Sequence, residues 1–207
     1  MAEHTERKER DRQRHRTEIL DAAEAIFAEK GFLRATVEEI AAKTGFSVGS
    51  LYNLFGSKED LYLALIETRA HQLAVDANAA FDQIAQPADF PDAYITLRID
   101  LATKYEPFFR LWARERMGDR FASTPLWIEK LAPLLNPFLQ RLTDAFAQGQ
   151  RDGVFRSDVD PADLTLAVDG LCDAFMFEWL AGDDPNLFAR KRESMLQLFL
   201  QGANSRS

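Results

Sequence analysis

The chain has 207 residues, enough for one sizeable core or for a small N-terminal module joined to a larger helical body. Its net charge of −8 repels nucleic acid at long range, and dividing the chain does not rescue the point, because residues 1–60 carry ten Lys and Arg against twelve Asp and Glu. No uncharged apolar run reaches the roughly 18 residues of a membrane helix, residues 1–16 lack the apolar stretch of a secretory signal, and Cys172 alone cannot form an internal disulfide. A cytoplasmic protein is therefore expected. His4, His15 and His71 are scattered without metal-ligand spacing, and neither a nucleophile paired with a base nor a glycine-rich phosphate loop is visible. No metal, no cofactor and no catalysis are expected.

Apolar residues recur at spacings of three and four, and the breaks between segments carry cap residues and prolines, so the fold class is all-α with about nine helices and no sheet. Residues 1–11 read as a disordered tail of mixed charge. The first helix is expected over 12–30, with Ile19, Ala22, Ala23, Ile26 and Phe27 on one face and Gly31 as its stop. Thr36 and Glu39 form a capping-box pattern before a short helix from Val37 that ends at Gly45. Ser47 caps a second short helix through Phe55, Gly56 ends it, and Ser57 caps a long helix running towards Ala85. Further helices are predicted over 90–103, 106–117 and 125–151, the last kinked or broken at Pro133 and Pro137. Asp160-Pro161 and Asp184-Pro185 each pair a cap residue with a proline suited to the first helical position, and start the last two helices.

The stretch 37–55 carries the function. Ala41 is small enough for a second helix to approach, Gly45 permits a tight turn, and Ile40, Leu51 and Leu54 or Phe55 supply a shared core, which is what two crossed short helices need. The second of these helices would turn Val48, Gly49, Ser50 and Asn53 outwards at a size the major groove admits. Thr36, Ser47 and Lys58 lie at helix N-termini, where free amides favour phosphate oxygens, and Tyr52 offers a phenol for another. Residue by residue, the alternative is an ordinary set of caps in a helical bundle.

The run Ile19-Leu-Asp-Ala-Ala-Glu-Ala-Ile-Phe27, then Lys30-Gly-Phe32, then Thr36-Val-Glu-Glu-Ile-Ala-Ala-Lys-Thr-Gly45, then Ser50-Leu-Tyr-Asn-Leu-Phe-Gly-Ser-Lys-Glu-Asp-Leu61 resembles the TetR family of transcriptional regulators. The resemblance covers roughly the first sixty residues and implies a DNA-binding domain over 12–58, followed by a ligand-binding and dimerisation domain over 59–207. It further implies a homodimer on a palindromic operator, usually as a repressor that a small molecule releases. On this resemblance Thr36, Ser47, Tyr52 and Lys58 match phosphate-contacting positions, and Val48, Gly49 and Ser50 match base-facing ones. Leu54 departs from the aromatic or histidine frequent there. Val48 and Gly49 offer bases few hydrogen bonds, so reading falls to Ser50, Asn53, thymine methyls and DNA shape. The basic tail residues Arg7, Lys8, Arg10, Arg12, Arg14 and Arg16 either form a minor-groove arm or remain solvated.

Twelve of the sixteen phenylalanines and all three tryptophans follow residue 60, a pattern that reads first as core. The eighth helix is apolar most of the way round, with Leu164, Val168, Leu171, Phe175 and Trp179 on one face and Leu166, Gly170, Ala174 and Phe177 on another. The first of these faces, continued by Phe188, Met195 and Phe199, is assigned to an intersubunit four-helix bundle. Tyr105, Phe108, Trp112 and Trp127 are the candidate lining of a ligand pocket, with Arg98, Arg110 and Arg114 as either anion partners or solvated side chains. A helical interaction module without DNA binding is the rival reading, and the acidic net charge is its support.

Overall fold

The computed structural model describes residues 2–117 and 124–204. Among the described residues ten α-helices follow one another: α1 (Ala2–Lys30), α2 (Val37–Thr44), α3 (Val48–Phe55), α4 (Lys58–Phe81), α5 (Phe90–Lys104), α6 (Glu106–Met117), α7 (Thr124–Arg151), α8 (Pro161–Ala181), α9 (Leu187–Arg190) and α10 (Arg192–Ala203). A single 3-10 turn, Pro87–Asp89, precedes α5. Among the described residues β pairing is confined to an isolated antiparallel bridge between Phe155 and Asn204. No helix among them is long and apolar enough to cross a membrane.

The chain forms two compact units, Met1–Arg69 with Pro107–Leu131, and Ala70–Glu106 with Ala132–Ser207. This division by contact runs differently from the expected domains 12–58 and 59–207. Leu61, Tyr62, Leu65 and Ile66 in the first turns of α4 are buried and complete the core of the first unit, and Pro107 onwards returns to it.

In the first unit, α1 starts at Ala2, within the stretch 1–11 that the sequence reading gives as a tail. Residues 2–16 contain neither Gly nor Pro and are rich in Glu, Arg, Lys and Gln, all good helix formers, and one turn further along Arg14 pairs with Glu18 at 3.8 Å. A helix can be continuous while a stretch of it, here residues 6–14, is exposed on all sides and buries nothing. From Ile19 onwards the inner face is core, where Phe27, Phe32 and Tyr62 meet with ring centroids 5.0–5.9 Å apart.

Two arginines tie α1 to its neighbours. Glu24 interrupts the apolar face of α1 and is only 6% exposed, because Arg69 of α4 grips its carboxylate with bonds of 2.8 and 2.6 Å and reaches Asp21 at 2.7 Å. Arg114 of α6 donates to the carbonyls of Ala28 and Glu29 at 3.2 and 2.6 Å, satisfying acceptors that the last turn of α1 leaves open.

The second unit packs α5, α8 and α10 against one another, with aromatic contacts linking Phe81, Phe90, Tyr94 and Phe138 and a second set linking Phe146, Phe155 and Phe199. Gly149 is required here: a Cβ at that position would lie 2.4 Å from the Phe155 ring. α7 runs through Pro133 and Pro137 as one helix, so of the two expected outcomes, a kink or a break, the break does not occur. Both prolines are exposed, so water can take the carbonyls they leave unpaired. Asp160 caps α8 as expected, accepting from the Ala162 N–H at 2.8 Å. Asp184-Pro185 does not start a helix. Its carboxylate accepts from the Asn186 N–H, the Pro185 carbonyl accepts from the Trp179 indole at 3.1 Å, and the short α9 begins only at Leu187.

Candidate nucleic-acid interface

The turn between α2 and α3 has the geometry its residues dictate. Thr36 Oγ1 accepts from the Glu39 N–H at 3.3 Å while Glu39 Oε2 accepts from the Thr36 N–H at 3.1 Å, a reciprocal cap that fixes the start of α2. Lys30 Nζ donates to the same carboxylate at 2.5 Å, and this hydrogen bond holds Glu39 below and Lys30 above their ordinary pKa values. Gly45 ends α2 at φ 75°, a left-handed conformation that a side chain would strain, and its N–H donates to the Ala41 carbonyl at 2.9 Å. Ile40, Ala41 and Leu51 are buried between the two helices.

Ser47 caps α3. Its hydroxyl oxygen accepts from the Ser50 N–H at 3.1 Å and lies 2.8 Å from Ser50 Oγ. Burial of Leu51 leaves Gly49, Ser50, Tyr52 and Asn53 exposed and Val48 and Leu54 half-buried. Thr36 and Ser47 are exposed beside them. Gly56 closes α3 at φ 92°, and Ser57 caps α4 by accepting from the Asp60 N–H at 3.0 Å. Lys58 is half-buried, with its ammonium 4.5 Å from the centroid of the Phe32 ring. Thus the eight residues singled out for DNA contact all lie on α3, its cap or the flanking helix starts. Thr36 and Ser47 are the caps of α2 and α3.

One feature of this surface is legible only in three dimensions. The Arg16 guanidinium lies 4.8 Å from the Phe55 ring centroid and the His15 ring meets Phe46 edge-on at 4.9 Å, which seats the N-terminal part of α1 beside α3. Lys8, Arg12 and His15 of α1 then share a cleft of about 680 Å³ with Ser50, Asn53 and Leu54.

The residues assigned to the pocket divide between the two compact units. Tyr105 belongs to the second unit and donates to Asp76 at 2.9 Å, next to the 2.7 Å pair of Lys104 with Asp76. Phe108 and Trp112 belong to the first unit, each meeting Phe109 edge to face, and Phe108 is buried. The side chain of Trp127 lies outside the described residues. Arg98 is neither solvated nor open to a ligand: from α5 it donates to Asp169, to Asp173 at 2.5 Å and to Tyr94 at 3.0 Å, and Tyr94 donates to Asp169 in turn. Burial disfavours its charge, but these partners outweigh burial and hold its pKa well above the ordinary arginine value. Burial also pushes the neighbouring Cys172 thiol up to about 12, so it is an inert hydrophobe.

The eight residues predicted for the dimer seam divide by burial. Leu164, Val168, Trp179, Phe188, Met195 and Phe199 are buried within their own chain, and Leu171 and Phe175 are half-buried. Periodicity identifies two apolar faces on α8 but cannot say which one the chain's own α5 and α10 will cover. The open face is the other one, with Leu166 69% exposed, Gly170 and Ala174 exposed beside it, and Leu198 of α10 57% exposed.

Comparison with known proteins agrees with this architecture. Residues 19–65 match the family of bacterial regulatory proteins described as the tetR family, and residues 95–178 match a tetracyclin repressor-like C-terminal domain. The HTH-type transcriptional repressor Rv1474c of Mycobacterium tuberculosis is 27% identical over 84% of this chain and 87% of its own. The HTH-type transcriptional repressor KstR2 of Rhodococcus jostii is 30% identical over 70% of each chain. The solved structure of FadR from Bacillus subtilis in complex with stearoyl-CoA superposes with a TM-score of 0.73 at 21% identity, covering 90% of this chain and 98% of that one. With its two helix caps, its αL turn at Gly45 and its exposed α3 face, the chain belongs to the TetR family of DNA-binding transcriptional regulators.

Proposed function

We propose that the protein is a cytoplasmic, homodimeric repressor that reads a palindromic operator through α3 and leaves it when a small molecule occupies its C-terminal part, acting by binding and not by catalysis. The observation that carries this reading is the α3 surface, where one buried leucine fixes the helix and the opposite side is left to the groove. Ser50 and Asn53 are assigned to base edges, Val48 and Gly49 to close apolar approach and thymine methyls, and Thr36, Ser47, Tyr52 and Lys58 to phosphates. The names of the two repressors above support the direction of regulation. The stearoyl-CoA complex of FadR supports an effector with a large apolar part, for which the half-buried Trp112 on α6 is the strongest contact among the four aromatic candidates.

Two substitutions separate positioning from reading. Lys58→Met keeps the stem on Phe32 and removes the charge, so it is expected to weaken binding to every sequence and to lower the log-log salt slope by about 0.9 per subunit. Ser50→Ala is expected to leave the slope unchanged and to alter preference at one base pair per half-site, by about 1–3 kcal/mol. Titration of both variants against a set of operator variants at several salt concentrations checks this division. A uniform loss across the set for both variants would contradict it.

A further inference from the structure

The helical start of α1 lies beside the recognition helix with a repeating face that the α1 core does not use. Lys8, Arg12, His15 and Ile19 are spaced by four, three and four residues, so they fall on one side of the helix. Ile19 is the buried end of this stripe, and His15 is anchored on Phe46. Lys8 and Arg12 continue it beyond the core, exposed, one turn and about 6 Å apart. That rise is comparable to the distance between neighbouring phosphates of one strand. The cleft they line is continuous with the reading surface, since Ser50 and Asn53 form its other wall.

We propose that this cleft is a second DNA contact, in which one strand of sugar-phosphate backbone passes between α1 and α3, with a phosphate on Lys8 and the next on Arg12. The proposal rests on α3 being the helix that enters the groove. Two features point to a backbone and not to bases. The side chains offered are flexible cations, and they sit to one side of α3, where the groove wall lies when α3 is on the groove floor. Glu9 and Asp11 border the same cleft. They weaken any general attraction for polyanions, so binding here depends on each cation reaching its own phosphate. This also explains how a chain of net charge −8 holds DNA: cationic contacts are confined to the few places where the backbone passes.

The test uses the full-length protein and a labelled duplex of mixed sequence, with affinity measured from low to moderate KCl. Lys8→Ala/Arg12→Ala is expected to lower the log-log salt slope by about 1.8 per subunit, roughly 0.9 for each phosphate released. Arg7→Ala/Arg10→Ala removes the same charge from residues of the same helix that do not line the cleft and is expected to lower it by less than a third of that. Alanine preserves helix in both pairs, which circular dichroism verifies. Equal loss in the two pairs would show that only net charge matters and would overturn the cleft contact, as would an unchanged slope in the first pair. A duplex left unbound by the unaltered protein at low salt would overturn the DNA-reading role of α3 itself, and this contact with it.

Discussion

Replacing Arg98 with Met is expected to cost about 3–5 kcal/mol of stability, the range for breaking one side of a buried ionic group. The magnitude follows from what remains. Arg98 is 14% exposed and serves Asp169 and Asp173, themselves 28% and 16% exposed, one turn apart on α8. Without the guanidinium, two carboxylates one turn apart on α8 lose their shared cation in a poorly solvated space between α5 and α8, while the Tyr94 hydroxyl still donates to Asp169. Methionine fills the volume, so a cavity contributes little and the loss is electrostatic. The triple variant Arg98→Met, Asp169→Asn, Asp173→Asn removes the stranded charges and is expected to recover most of the loss. Chemical denaturation of the three proteins measures both effects. A single variant within about 1 kcal/mol of the original would show that water reaches the cluster freely.

Replacing Leu166 with Glu is expected to leave the folded subunit intact and to abolish its dimer. Leu166 is 69% exposed within its own chain, so the substitution disturbs no core. In a two-fold bundle of α8 and α10, however, a carboxylate at that position meets its own symmetry mate in an apolar seam next to Leu198 and the small residues Gly170 and Ala174. Operator binding then fails for a geometric reason. Two copies of α3 reach successive major grooves only when held about one DNA turn, or about 34 Å, apart, and separate subunits forfeit the gain from tethering, on the order of 100-fold or more. Sedimentation and operator titration report the two consequences independently. A stable dimer of the Leu166→Glu protein would place the seam elsewhere.

The parts of the fold set by local chemistry were legible in the sequence. Thr36 with Glu39, Gly45, Ser47, Gly56 and Asp160-Pro161 all act within a few residues of themselves, and each ends or begins a helix where its type dictates. The parts set by contacts distant in sequence were not. Nothing near Arg98 announces Asp169 and Asp173 some seventy residues on, and the two apolar faces of α8 are equivalent until α5 and α10 choose one. Glu24 did leave a trace, as a lone carboxylate inside an apolar stripe, which is the pattern of a buried partner. Residues 2–11 lie within α1, in keeping with a composition that lacks any helix breaker. For the residues proposed to face DNA the exposed set on α3 followed from the burial of Leu51 alone, whereas the approach of α1 depended on the His15 and Arg16 ring contacts, which no spacing rule contains.

The central claim is that the exposed face of α3 reads sequence in duplex DNA, twice per dimer. Selection of bound duplexes from a random pool by the full-length protein tests it most directly, repeated in parallel with the Ser50→Ala protein. The account predicts enrichment of an inverted repeat whose half-sites are spaced by a multiple of a helical turn, with the variant shifting preference at one symmetric pair of positions and nowhere else. Enrichment of no sequence by the unaltered protein, or of a site without two-fold symmetry that Ser50→Ala leaves unchanged, would contradict it.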